Sequence, residues 1–212
     1  MNSKSIVKKE FGWNLTSNFS QDQKKVIYEA GNAILAYLDE HTAGRGKAWM
    51  IKNVGKVNFF LGDLPQKVVT AANKGKPTSV TFIANGIWLE PTFEKGGNPI
   101  QHVIHEVAHV IDNAVGNRHD AVLSIWFGHG PSDALTKYLG GTPKGLRWKN
   151  GSSGIRNLSQ WVTTDPETQY GYGNHSTADY FAESFAWAIV EPSKIIQPQV
   201  EEWIKRFIHN PR

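Results

Sequence analysis

The sequence predicts an α+β fold: a small, mainly antiparallel sheet packed on a long helix, with a helical C-terminal part. Three observations lead there. Two β-prone runs flank Asn85-Gly86, a pair that suits a tight hairpin because both residues accept positive φ. Residues 99–115 place apolar side chains at helical spacing behind a clear start signal. Residues 176–209 hold two further amphipathic segments separated by Pro192.

The elements follow in order. From Ser20 to about Glu40, Val26, Ile27, Ala30, Ala33, Ile34, Tyr37 and Leu38 recur at helical spacing; Ser20 with Gln23 forms a capping box, and Gly44 suits the exit. Val57–Leu61, Val80–Ala84 and Ile87–Leu89 read as strands. Asn98 is a good N-cap for the next helix, with Pro99 in its first turn and Gly116 past its end. Residues 117–171 carry many glycines, three tryptophans and a Gly151–Gly154 linker around a helical piece near Ser132–Leu139, and read as an irregular insertion or lid. Ser176 with Asp179 predicts a capping box for a helix ending near Glu191, and a last helix spans roughly 198–209.

The length of 212 residues fits a single domain, 1–212. A hydrophobic fraction of 40% with eight Trp and ten Phe excludes a disordered chain. The net charge of +4 comes without a dense Lys/Arg run, so nucleic acid is not an expected partner. No apolar run is long enough to span a membrane, and the N-terminus lacks the apolar run of a signal peptide, so the chain reads as soluble. With no cysteine, a metal would have to use His, Asp or Glu.

The helix at 99–115 contains His105-Glu106-Val107-Ala108-His109, an HExxH sequence. At 100° per residue the two histidines lie about 40° apart, one turn separated, so both can reach one zinc ion. Glu106 falls at the flank of that face, where a carboxylate can take a proton from an activated water. Ile104, Val107, Ala108, Ile111 and Val115 fall on the opposite arc as a core face. Asp112 reads either as an acceptor behind a ligand or as a solvated aspartate. A third ligand is still needed. Val115 stands where the metzincin pattern carries a third histidine, and Glu183, on a mostly apolar helix, has the best setting, with His119 or His129 as alternatives and a solvated Glu183 as the plain reading.

His105–Asp112 (HEVAHVID) followed by Tyr180–Ala186 (YFAESFA) resembles the zincin-like (gluzincin) metallopeptidases of the anthrax lethal factor catalytic domain and Pro-Pro endopeptidase group. The resemblance covers about residues 98–191 and is strong only in those two motifs. It implies a zincin-like fold, His105, His109 and Glu183 as zinc ligands, and Glu106 as general base. It also implies an oxyanion-stabilising tyrosine seven residues before the glutamate. Ser176 holds that position, so Tyr172 is the substitute, with Tyr170 and Tyr180 open. The implied activity is peptide-bond hydrolysis on a peptide or protein substrate laid along an edge strand near 79–90. The chain is expected to act as a monomer, and secretion is the location the resemblance implies. Two other readings remain: a non-catalytic, aromatic-rich binding module with a structural zinc, and a zinc hydrolase of non-peptide amides.

Overall fold

The computed structural model describes residues 3–16, 18–62, 79–82, 86–116, 130–139, 177–195 and 198–211. Helix α1 (Ser3–Phe11) delivers Val7 and Phe11 to the core and leads into strand β1 (Asn14–Leu15). Helix α2 (Gln21–His41) begins at the expected capping box. Ser20 Oγ accepts the Gln23 amide at 3.1 Å, and Gln23 Oε1 accepts the Ser20 amide at 2.9 Å. The same Gln23 side chain donates to the Pro91 carbonyl at 2.7 Å, tying this cap to the end of the sheet. The helix closes where Gly44, at φ +76°, turns its amide back to the Asp39 carbonyl. A short helix α3 (Gly46–Asn53) follows, its first amide held by Asp39 Oδ1 at 2.6 Å.

Strands β2 (Asn58–Leu61), β3 (Ser79–Phe82) and β4 (Gly86–Leu89) complete a four-stranded sheet in the order β1-β2-β4-β3. The expected β3–β4 hairpin pairs antiparallel, Val80 opposite Trp88; Asn85 of its turn lies outside the described residues. The mainly antiparallel sheet is nevertheless corrected. β1 with β2 and β2 with β4 are parallel, so two of the three pairings are, and the described residues are mostly helical, with seven α-helices against four short strands. The reason is that β4 inserts between β2 and β3 instead of extending a meander. Phe59 lies opposite Ile87, and the Gly62 amide reaches the Leu89 carbonyl at 3.0 Å.

Alternation along the strands puts Leu15, Phe59, Ile87 and Leu89 on the helix-covered face. The other face carries Phe60 stacked on Trp88, ring centres 4.4 Å apart. Helix α4 (Pro99–Gly116) starts as expected, the Gln101 amide reaching Asn98 Oδ1 at 3.3 Å. It is packed by α2, by the sheet and by the C-terminal helices, and is therefore buried on nearly every side, not on one arc alone. Helix α5 (Pro131–Tyr138) matches the short helical piece read near 132–139. Helix α6 (Thr177–Val190) ends before Pro192, and α7 (Pro198–His209) closes the chain. One continuous apolar cluster runs through α1, α2, α4, α6, α7 and the sheet. Among the described residues no helix is long and apolar enough to cross a membrane.

Candidate metal centre

Helices α4 and α6 pack against each other over most of their length, and their polar side chains meet as two rungs. His105 Nδ1 lies 3.0 Å from Glu183 Oε2, and His109 Nε2 lies 3.3 Å from Asp179 Oδ1. The numbering rises along α4 as it falls along α6, so the helices run antiparallel here. A four-residue step on each then brings two histidines opposite two carboxylates. Between the rungs, His105 Nε2 and His109 Nε2 face each other at 3.1 Å, their ring planes almost perpendicular.

The Glu183 carboxylate is buried and fully engaged. Its Oε1 accepts the Trp187 indole N–H at 2.6 Å, and its Oε2 accepts Gln101 Nε2 at 3.1 Å beside His105 Nδ1. The solvated reading of Glu183 is excluded, since the residue is 5% exposed. Burial works against charge on His105, but the hydrogen bond to Glu183 and that carboxylate's charge overcome it, with Glu106 and Asp179 adding, and raise its pKa to about 9. Burial pushes Glu183 the opposite way, yet His105, Trp187 and Gln101 hold it below the ordinary carboxylate value. An ionised Glu183 is acceptor-only, so His105 keeps a proton on Nδ1 and turns Nε2 toward His109; with its pKa near 9 the metal-free ring also holds a proton on Nε2 at neutral pH, which a bound metal would displace.

Loss of that Nε2 proton leaves the tautomer a metal ligand needs, with a carboxylate fixing the ring from behind. One ring nitrogen of His105, one of His109 and an Asp179 oxygen all lie within 4.8 Å of one another. Nitrogen ligands about 2.0–2.1 Å from a tetrahedral zinc stand roughly 3.3 Å apart, close to the 3.1 and 3.3 Å separations found here. The donor set of two imidazoles and one carboxylate therefore fits a divalent metal. His109 and Asp179 have side chains 17% and 24% exposed against 7% for His105, so the group opens to solvent on their side.

No family model matches the chain, and none of the curated proteins compared with it does either. What the centre can do rests on its geometry.

Glu106 is buried beside this group, near enough for its charge to act on both His105 and His102. Burial holds His102 below the ordinary imidazole pKa. Asp112, read as a second-row acceptor or a solvated group, is not solvated, and among the described residues no histidine ring is hydrogen-bonded to it. It is buried, and its Oδ1 accepts the Ser132 amide at 2.8 Å, fastening the start of α5 to α4. Gly130 fits there because a Cβ would come within 2.5 Å of that same oxygen. Of the expected ligands, His105 and His109 come together, while Glu183 touches His105 from behind and Asp179 stands at the opening. Tyr172, Tyr170, Ser176, His119 and His129 lie outside the described residues; Tyr180 is buried within α6. The sequence pattern places Asp179 at a helix cap and gives Gln101 and Trp187 no role at the centre. The available signal was the four-residue Asp179–Glu183 spacing, which repeats that of the histidines.

Proposed function

We propose that this chain is a zinc-dependent metallopeptidase, with His105, His109 and Asp179 as metal ligands and Glu183 as the carboxylate that orients His105. The carrying observation is the convergence of a ring nitrogen from each of His105 and His109 and the Asp179 carboxylate at an opening, with Glu106 buried alongside. Two nitrogens and one oxygen suit zinc and leave a position for water or substrate. His105, His109 and Asp179 would hold a zinc ion there, which would supply Lewis acidity toward water and a scissile carbonyl. Glu106 takes the proton of the attacking water and returns it to the leaving nitrogen. Glu183 keeps the His105 proton on Nδ1 throughout, held in turn by Trp187 and Gln101.

Assigning the ligand position to Asp179 also answers the displaced tyrosine. The resembled metallopeptidases carry it seven residues before the ligand, and seven residues before Asp179 stands Tyr172. Tyr172 is then the hydroxyl that steadies the oxyanion. β3 is an edge of the sheet and packs near α4, which supports a peptide or protein substrate adding to it as a further strand. We take the protein to act as a secreted monomer, following the same resemblance.

The aromatic-rich binding module loses support. Trp13, Trp49 and Trp187 are buried, and among the described residues no tryptophan is fully exposed. Digestion of a peptide library by the zinc-loaded protein, read by mass spectrometry with and without chelator, tests the proposal. Chelator-sensitive cleavage is expected. A zinc-binding protein that cleaves no peptide but hydrolyses simple amides would overturn the peptidase assignment, and one that takes up no zinc would overturn the centre itself.

A further inference from the structure

A second concavity lies away from α6 and its carboxylates, where the loop after α2 and the outer face of α3 meet the end of α7. Its volume is about 240 Å³, and it is lined by Thr42, Arg45, Trp49, Lys52, Asn53 and His209, with Ala48, Ile208 and Pro211 completing the wall. The floor is rigid and apolar. The Trp49 indole N–H donates to the Ile208 carbonyl at 2.8 Å, and its ring packs edge-on against Phe207 at 5.9 Å. The rim is basic: Arg45 and Lys52 lie seven residues apart on α3 and its cap, and His209 faces them from the last turn of α7.

Among the described residues no carboxylate lines this groove. Arg45 Nε is fixed on the Thr42 carbonyl at 3.0 Å, and the arginine forms no ion pair among the described residues. Its remaining guanidinium donors are thus preset at the mouth with no counter-charge among the described residues, beside the small part of the largely buried Trp49 indole that lines the wall. The volume falls below the roughly 300–1,000 Å³ of drug-sized pockets, so the occupant is small.

We propose that this groove binds a small ligand with a flat apolar body and an anionic end, the body against Trp49 and the anion between Arg45 and Lys52. The proposal does not rest on the metal centre. The zinc-loaded full chain is titrated with anilinonaphthalene sulfonate and with phenylphosphate, followed by fluorescence and calorimetry, and the titration is repeated after chelation. One saturable site per chain is expected with each probe, in both metal states. Arg45→Glu and Lys52→Glu should each weaken it about tenfold or more, through loss of a charge-assisted contact and gain of repulsion. Arg45→Lys should weaken it less, and Lys95→Glu, exposed on the turn before α4, should leave it unchanged. All three positions are exposed, so the fold should survive each change. Absence of a saturable site would overturn the proposal. So would binding of the fluorophore that Arg45→Glu leaves intact, since that is apolar adhesion without recognition of the anion.

Discussion

Glu183→Gln separates a ligand from a residue that orients one. The variant keeps the side chain's size but makes one of its two oxygens a donor. If the amide oxygen takes the Oε2 place, His105 Nδ1 and Gln101 keep their acceptor, but the amide nitrogen then faces the Trp187 N–H across a 2.6 Å contact. A buried donor left without an acceptor costs about 1–3 kcal/mol. If the amide is turned over, Trp187 is satisfied and His105 must move its proton to Nε2, the nitrogen that faces His109. Both orientations are unfavourable, the first for the fold and the second for the metal. Such orienting partners typically contribute about 10–100-fold in metal affinity. The variant should therefore bind zinc about 10–100-fold more weakly while remaining able to saturate. At roughly 2–4 °C per kcal/mol, its metal-free form should melt about 2–12 °C lower. Asp179→Ala should instead lose stoichiometric zinc at concentrations where the native protein is full. Competition titration against a zinc chromophore, with calorimetric melting of the metal-free proteins, reads both effects. If Glu183→Gln abolishes zinc binding while Asp179→Ala leaves it full, the two carboxylates have been assigned the wrong way round.

Three further outcomes follow from the same structure. Glu106→Gln should keep zinc at native stoichiometry and lower peptide turnover by about 100-fold or more, measured as kcat on a peptide selected from the library; undiminished turnover removes Glu106 as the base. Gly31→Ala, which in an open helix would gain about 1 kcal/mol, should here cost about 1–3 kcal/mol in urea unfolding. The new Cβ would stand 2.7 Å from the Phe11 ring, which Trp13 and Tyr28 hold in place at 5.0 and 5.5 Å, so a stabilised variant would show that ring free to shift. Asp112→Asn keeps an oxygen for the Ser132 amide and removes a charge that burial disfavours. The folded-state pKa of Asp112 is raised, so ionisation penalises the folded state. The penalty is absent below the ordinary value of 3.8 and complete once pH has risen past the raised one. The variant should thus gain on the native protein in chelator-treated unfolding experiments as pH rises from the acid range to neutrality; a difference independent of pH would mean Asp112 titrates as an ordinary surface acid.

The local signals in the chain transferred well where an element's neighbours along the sequence decide its form. Ser20 and Gln23 cap α2, Asn98 and Pro99 open α4, Pro192 ends α6, and the α7 boundaries match to the residue. Sheet order is decided elsewhere. A reading of successive strands as successive neighbours yields an antiparallel meander, but β4 takes its place beside β2 and leaves β3 at the edge. The choice depends on which side of β2 the Phe60–Trp88 stack and the Phe59–Ile87 contact are best formed, and no local pattern encodes that. α1 and α3 were also illegible. Both are short, and α3 lacks a side-chain cap, so it is held mainly by tertiary contacts such as Asp39 to the Gly46 amide and Trp49 to Ile208.

The centre divides along the same line. Spacing within α4 suffices to say that His105 and His109 share a face, because a helix fixes that by itself. Spacing within α6 equally says that Asp179 and Glu183 share one. It cannot say which carboxylate meets which histidine, for that is the axial register of two antiparallel helices. Four residues amount to about 6 Å of rise, so sliding α6 by one turn would bring Glu183 to the open side of His109 and take Asp179 out of reach. Away from the candidate metal centre, α6 is also seated by apolar contacts to its other neighbours: Phe181 packs against Trp203 and Phe207, and Phe185 against Tyr37. If that seat sets the register, the proposed third ligand follows from how α6 sits on α2 and α7. Reshaping that aromatic seat, by Phe185→Leu for instance, should disturb zinc affinity without touching any group that binds it, and an affinity unchanged by such a substitution would mean the rungs themselves hold the helices in register.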